Sequence, residues 1–281
     1  MTATRPEKSE APPVRVALVG AAGRMGRILT AGLVNGAVPG LRLVGAVDLW
    51  DHPALGKDAG LVAGVDEAGV AIGSDLAEAA READAVIDFG GHHGTAGNAP
   101  RCAEWGKPLV IGTTGLDGGE KAAVKQAAAR IPVVHSPNMS LGVNLLFALV
   151  EDAARALRGK GFDVEVVERH HRLKKDSPSG TALGLGEAAA RGYGWTLRDV
   201  AVDGRSGLVG ERPERQIGFH AVRGGDIVGD HTVLFAADGE CIELSHRATS
   251  RTAFALGALR AARWIVGRPA GLYTMRDVLG V

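Results

Sequence analysis

The sequence predicts two folding units, a doubly wound parallel α/β sheet followed by an α+β unit with an open mixed sheet. Three observations predict it. Val14–Val19 is a β-rich apolar run that leads at once into Gly20-Ala21-Ala22-Gly23-Arg24-Met25-Gly26 and then a helical pattern. Strand-like and helix-like stretches alternate from there to His135, the order that builds a parallel sheet covered on both faces. From Gln216 onwards, strand patterns follow one another without long helices between them, the order of a mixed sheet.

The glycine run is a GxxGxxG variant of the dinucleotide fingerprint. Gly20 permits the tight turn, Gly23 lets backbone approach a pyrophosphate, and Gly26 lets the helix pack on the strand. Glycines alone punctuate any turn, so the context carries the weight: a strand before, a helix after, and an acid closing the second strand. That strand is Leu41–Val47 and the acid is Asp48, whose carboxylate would accept hydrogen bonds from ribose hydroxyls. Leu49 and Trp50 supply no arginine for a 2′-phosphate. NADH is therefore expected over NADPH, with NADPH left open through Arg24 or a more distant side chain.

The alternation continues with a short helix at 75–82, a strand at 84–89, and a helix at 95–105 in which Pro100 marks a bend. A strand at 107–111 ends in Gly112-Thr113-Thr114-Gly115. A helix at 120–130 precedes the strand at 131–135, which ends in Ser136-Pro137-Asn138-Met139. In a Rossmann-type doubly wound sheet, ligands bind beyond the carboxyl ends of the strands. The loops at Gly20, Asp88-Phe89, Gly112-Thr113-Thr114 and Ser136-Pro137-Asn138-Met139 are expected to line one crevice.

In the second half, Ser140 opens a long apolar helix to Leu157, and an alternating strand follows at 162–167. Then comes Glu168-Arg169-His170-His171-Arg172-Leu173-Lys174-Lys175-Asp176-Ser177-Pro178-Ser179-Gly180-Thr181. The sequence places its two histidines and four basic side chains between strand and helix, with Ser177-Pro178 opening the helix. The amides of Ser179, Gly180 and Thr181 would sit at the positive end of that helix. Basic loops are usually solvated surface. Here groups that titrate near neutrality, fixed cations and a helix start converge, as suits a small carboxylate substrate that must be held and protonated. Strands follow at 216–222, 226–236 and 241–246. Their His220, His231 and His246 read as solvent-facing or hydrogen-bonded, since no metal-ligand spacing links them. A helix at 253–266 stops at Gly267. A broad sheet covered on one side needs a cover, so sheet-to-sheet oligomerisation is expected. The division is a tail over 1–13, a dinucleotide unit over 14–139, a substrate and oligomerisation unit over 140–252, and a segment over 253–281 packing back on the first.

Composition sets bounds. A chain of 281 residues has room for two domains and a sizeable core. Hydrophobic content of 46% with zero formal net charge describes a soluble globular protein, with no basic excess to call for nucleic acid. Apolar runs are broken well short of membrane-spanning length. The polar first ten residues lack a signal core. Cys102 and Cys241 are far apart and form no CxxC pair, so neither a disulfide framework nor a metal site is expected, and a reducing cytoplasm fits.

The run from Glu168 to Ala182 matches the pattern E-x-H-H-x-x-K-x-D-x-P-S-G-T-A without a gap. With the glycine loop, Ile111-Gly112-Thr113-Thr114-Gly115 and Arg223-Gly224-Gly225-Asp226-Ile227-Val228-Gly229, it makes the chain similar to the 4-hydroxy-tetrahydrodipicolinate reductase family, historically dihydrodipicolinate reductase, over residues 14–280. The resemblance implies hydride transfer from a nicotinamide cofactor to C4 of a cyclic dicarboxylate, with loss of the 4-hydroxyl, on the diaminopimelate route to lysine, by a homotetramer. It implies an acid/base role for His170 and proton donation by Lys174. It also implies substrate binding by His171, Lys174, Gly180 and Thr181. The nucleotide contacts it implies are Gly20, Ala21, Ala22, Gly23, Arg24, Met25, Asp48, Gly112, Thr113, Thr114, Ser136, Pro137, Asn138 and Met139. The chain departs from the family at Asp88-Phe89-Gly90-Gly91-His92-His93, where Asp-Phe-Thr is common. It departs again at Asp48-Leu49, where a longer Glu and a basic neighbour are common, and at Asp230, where Glu is frequent. A different two-domain NAD(P) amino-acid oxidoreductase would need another acid/base set. A nucleotide-sensing regulator would leave the second motif without a purpose.

Overall fold

The computed structural model describes residues 12–281; of the tail expected over 1–13, residues 1–11 lie outside the described residues. By its contacts the chain divides into two compact units. One is the chain up to Val134 with Leu259–Leu272, the other His135–Ala258 with Tyr273–Val281.

The first unit begins with strand β1 (Val14–Val19), helix α1 (Arg24–Val34) and β2 (Leu41–Val47). Next come two elements absent from the sequence reading, α2 (Ala59–Ala63) and β3 (Ile72–Gly73). Asp58 organises both: its carboxylate accepts from the amides of Gly60, Leu61, Ala68 and Val70. Then follow α3 (Leu76–Ala80), β4 (Ala85–Asp88), α4 (His92–Glu104), β5 (Leu109–Ile111), α5 (Gly118–Ala128) and β6 (Pro132–His135). Helix α4 starts three residues earlier than expected and runs through Pro100, because Ala99, Cys102 and Ala103 are packed into the core on either side of the missing hydrogen bond. Helix α5 starts two residues early because Asp117 and Glu120 form a reciprocal capping box.

The second unit contains α6 (Leu141–Leu157), β7 (Asp163–His170), α7 (Gly180–Tyr193), α8 (Leu197–Val200), β8 (Ala201–Asp203), β9 (Ile217–Arg223), β10 (Gly229–Ala237) and β11 (Glu240–Ala248). Helix α9 (Thr252–Ile265), β12 (Gly271–Tyr273) and α10 (Met275–Leu279) complete the chain.

The larger sheet has the order β12-β6-β5-β4-β1-β2-β3, and β1 pairs in parallel with β2 on one side and β4 on the other. Residues Val16, Ala17 and Leu18 are fully buried, as helices on both faces require of a central parallel strand. Strand order reverses at β1, and Val19 lies level with Val47 and with Asp88. The loops that begin at Gly20, Asp48 and Phe89 therefore leave the sheet side by side, at the switch point where such folds bind ligands.

The second sheet has the order β11-β10-β7-β9-β8. It is mixed: β7 pairs antiparallel with β10 and parallel with β9. Helices α6 and α7 cover one face through Phe147, Val150, Leu185 and Ala189, packed on Val164, Val166, Phe219, Val233 and Phe235. Side chains alternate along β7, so Val164, Val166, Glu168 and His170 are all buried on that covered face. The strand that the sequence pattern ends at 167 runs on to His170. It continues because β9 and β10 pair with it through Arg169.

Glu165 lies on the opposite face. It accepts from Arg205 at 2.8 and 3.0 Å, from Arg212 at 2.9 Å, and pairs with His220 at 2.7 Å. Burial pushes this carboxyl up, but its three partners outweigh burial and pull it from 4.5 to about 2. A lowered carboxylate pKa contributes stability that is whole above pH 4.5 and is lost as pH falls towards 2. The shift corresponds to roughly 3 kcal/mol. The urea midpoint of the wild type is expected to drop more steeply than that of Glu165→Gln between those pH values. Parallel slopes would show that the group titrates alike folded and unfolded.

Candidate active site

At the head of the first unit, Gly20 has φ of 76°, in the region open to glycine. A Cβ on Gly26 would stand 2.0 Å from the Gly20 carbonyl oxygen, so α1 can approach the turn only through a glycine. Helix α1 starts behind Gly23, with no side-chain cap and no acid in its first turn. Its leading amides and positive end are thus left for an anion. The Asp48 carboxylate accepts from the amides of Ala22 at 2.8 Å and Leu49 at 2.9 Å, which fixes it against the glycine loop. Ala21 and Ala22 are buried, Met25 is half-buried and Arg24 is exposed. A cleft of about 260 Å³ is lined by Gly20, Asp48, Leu49, Trp50, Asn98 and Arg101 among others. Arg101 is a basic residue the sequence reading did not place here; it pairs with Asp75 at 3.7 Å and lies over the Trp105 ring.

The loops after β4 and β5 share one anchor. Asp88 is fully buried and accepts from the Gly90 amide at 2.8 Å, Thr95 Oγ1 at 3.1 Å and Asn98 Nδ2 at 3.0 Å. Burial pushes its pKa up against the pull of those donors. Thr113 Oγ1 stands 3.0 Å from Thr95 Oγ1 and 3.4 Å from the Asp88 carbonyl oxygen, so the Thr113 side chain is spent inside the protein and only its backbone can serve a nucleotide. Thr114 is exposed. A Cβ on Gly112 would fall 1.9 Å from the Phe89 ring, which explains the glycine there.

The segment 136–139 belongs to the second unit. Ser136 is buried, with Oγ accepting from the Met275 amide at 2.7 Å, and Met139 is buried as well. Pro137 is exposed. Asn138 accepts from the Ser140 amide through Oδ1 and donates through Nδ2 to Thr181 Oγ1 at 3.1 Å. The segment therefore braces the start of α7.

The histidine motif is not one loop. Glu168, Arg169 and His170 lie on β7, and the helix cap is Ser179, not Ser177, with Pro178 ahead of it behind a cis peptide bond. Ser179 Oγ accepts from the Ala182 amide at 3.1 Å, and the Ser179 amide donates to Glu168 Oε1 at 3.0 Å. That amide is occupied, leaving those of Gly180 and Thr181, the first two of α7, to a ligand. A Cβ on Gly180 would meet nothing within 4 Å, so the space over this helix start is open.

His170 Nδ1 stands 2.5 Å from Glu168 Oε2. The same carboxylate takes two bonds from Arg223, each 2.8 Å. Burial raises the Glu168 pKa, but Arg223 first, and His170 after it, hold it below the carboxylate range. Burial lowers His170, against the pull of Glu168. The result is a neutral imidazole that donates Nδ1–H to a charged carboxylate and keeps Nε2 as an acceptor. Lys174 is not a free cation: Nζ donates to both oxygens of Asp176 at 2.8 Å. His171 has its Nδ1 buried without a partner among the described residues.

Two site residues escaped the sequence reading. His231, expected to be solvent-facing or hydrogen-bonded, is hydrogen-bonded, pairing Nε2 with Ser179 Oγ at 3.1 Å, but it is buried and sits edge-on to His170 with ring centres 5.0 Å apart. Burial lowers it to about 3. The signal was the alternation His231, Val233, Phe235 on one face of β10. Arg223 is the other; as the closing residue of β9 it reaches both Glu168 and the Asp176 carbonyl at 2.7 Å. Asn138, His170, Thr181, Gly229, His231 and His246 line a small cavity of about 40 Å³. A larger cavity of about 430 Å³ lies along Val44–Val47 and α3. Its lining holds Asp75, Glu78, Arg81 and Glu82 but no histidine, whereas the smaller cavity gathers His170, His231 and His246.

A glycine-rich loop with a bare helix start on a doubly wound sheet, followed by a unit with a carboxylate-backed histidine, defines the class of two-domain nicotinamide-dependent oxidoreductases. Residues 14–139 match the family described as dihydrodipicolinate reductase, N-terminus, and residues 142–279 match its C-terminus. The chain belongs to the dihydrodipicolinate reductase family. It is 53% identical over 95% of its length, and 98% of the relative's, to a 4-hydroxy-tetrahydrodipicolinate reductase of Anaeromyxobacter dehalogenans. To one of Anaeromyxobacter sp. strain Fw109-5 it is 54% identical over the same shares. A solved dipicolinate-bound dihydrodipicolinate reductase from Paenisporosarcina sp. TG-14 shares the fold, with a TM-score of 0.71 and 22% identity over 94% of this chain and 98% of that one.

Proposed function

We propose that the chain is a 4-hydroxy-tetrahydrodipicolinate reductase of lysine biosynthesis by the diaminopimelate route. It reduces (2S,4S)-4-hydroxy-2,3,4,5-tetrahydrodipicolinate to (S)-2,3,4,5-tetrahydrodipicolinate with loss of water. The observation that carries this reading is the buried Glu168–His170 pair beside the open Gly180 and Thr181 amides. The cofactor, when bound, supplies the hydride. Gly20 to Met25, with Asp48 and the 112–114 loop, hold its nucleotide portion. Gly180, Thr181, His171 and Lys174 grip the two substrate carboxylates. Lys174 delivers the proton to the reduced ring, and His170 exchanges a proton through Nε2 while Glu168 fixes its tautomer.

In this reading 14–139 is the cofactor unit, 140–252 the substrate and oligomerisation unit, and 253–281 returns to the first. The grouping of Leu259–Leu272 with the first unit supports that return for this stretch, whereas Tyr273–Val281 groups with the second unit. A homotetramer in the cytoplasm forms through the uncovered face of the second sheet, where Val222 is exposed.

NADH is the preferred cofactor, because a fixed carboxylate at Asp48 accepts from ribose hydroxyls and repels a phosphate. Arg101 in the same cleft is the side chain through which NADPH would be accommodated. With hydroxy-tetrahydrodipicolinate generated in situ, NADH is expected to be oxidised at a higher kcat/KM than NADPH. No oxidation of either would overturn the reaction; a strong NADPH preference would overturn only the role given to Asp48.

A further inference from the structure

The departure at residues 92–93 places two imidazoles on one carboxylate. His92 and His93 open α4, and Glu120 is the third residue of α5. His92 Nδ1 is 2.9 Å and His93 Nδ1 2.8 Å from the same Glu120 oxygen, Oε1. The two rings are 3.9 Å apart, tilted by 49°. The carboxylate is set independently of them. Its side chain is only 8% exposed, and Oε2 accepts from the Asp117 amide at 2.8 Å within the α5 capping box. The histidine side chains are 44% and 84% exposed, so burial does not force them to converge.

We propose that His92, His93 and Glu120 bind one divalent transition-metal ion per chain, Zn²⁺ being the ion their donors suit best. One ligand atom from each residue lies within 4.8 Å of the others. Ligands on a tetrahedral zinc stand about 3.4 Å apart for bonds of ~2.0–2.2 Å, a spacing the exposed histidines reach by small rotations. Two nitrogens and one oxygen, with a fourth position open to water, form a donor set that zinc, nickel and copper favour over magnesium or calcium. The helix starts of α4 and α5 oppose a cation, which weakens the site. No metal ligand was expected from the sequence, because adjacent histidines have no zinc spacing and the third ligand arrives only through the packing of α4 on α5. Binding would tie the loop after β4 to the loop after β5.

The test is calorimetric titration of the full chain, stripped of metal and without a polyhistidine tag, with Zn²⁺, and absorption spectroscopy with Co²⁺. Expected are one ion per chain at micromolar affinity and the visible bands of a low-coordinate cobalt site. His93→Ala, which alters an exposed side chain and leaves the fold intact, is expected to weaken binding by about 10-fold or more, and Glu120→Gln likewise. Absence of saturable uptake below millimolar Zn²⁺ would overturn the proposal, as would an affinity unchanged in His93→Ala.

Discussion

Replacing His170 with glutamine is expected to lower kcat by about 10²-fold or more, the usual scale of a positioned acid or base, with little change in NADH Kd. Glutamine keeps the size and a polar end but has no proton to exchange. It can still hydrogen-bond Glu168, so the fold should survive and the loss should fall on the chemical step. Burial holds His170 below the ordinary 6.5. A reaction that needs the neutral imidazole therefore keeps its rate to a pH below that value and loses it only in more acid solution. That acid limb of the kcat/KM profile should vanish in the variant. A kcat equal to the wild type would remove His170 from the mechanism.

Glu168→Ala is expected to cost roughly 3–5 kcal/mol of folding stability, as removal of one partner of a buried ion pair does. The lower end of that range is expected, since the Arg223 side chain keeps 21% of its exposure. The change strips an acceptor from both Arg223 nitrogens, the His170 ring and the Ser179 amide at once. Urea unfolding measures the loss. Glu168→Gln separates charge from shape, because it retains one acceptor oxygen while removing the charge that steadies Arg223. A loss below about 1 kcal/mol in the alanine variant would mean that these donors find other partners.

Much of this was legible in the chain. The glycine loop and Asp48 could be read because a turn and a strand end are decided within a few residues. The α6 cap at Ser140 could be read for the same reason, and the structure has Ser140 Oγ accepting from the Val143 amide. The end of β7 was hidden because charged Arg169 and polar Glu168 mask an alternation that the pairing of β9 and β10 enforces. Ser177 and Ser179 are both plausible caps on local grounds. The choice falls to Ser179 through its bond to Glu168, eleven residues away. Arg223 and His231 join the site from 55 and 52 residues away, through sheet register that no local pattern specifies. The hold of Asp176 on Lys174, by contrast, lay two residues off in plain sight.

Arg223 bonds with one hand to the carboxylate behind His170 and with the other to the carbonyl of Asp176, whose side chain grips Lys174. The spacing of the His170 ring and the Lys174 ammonium is thus gauged from a single point, the last residue of β9. Any drift of that strand tip carries both groups along together, so the distance between them survives motions that would blur either one alone.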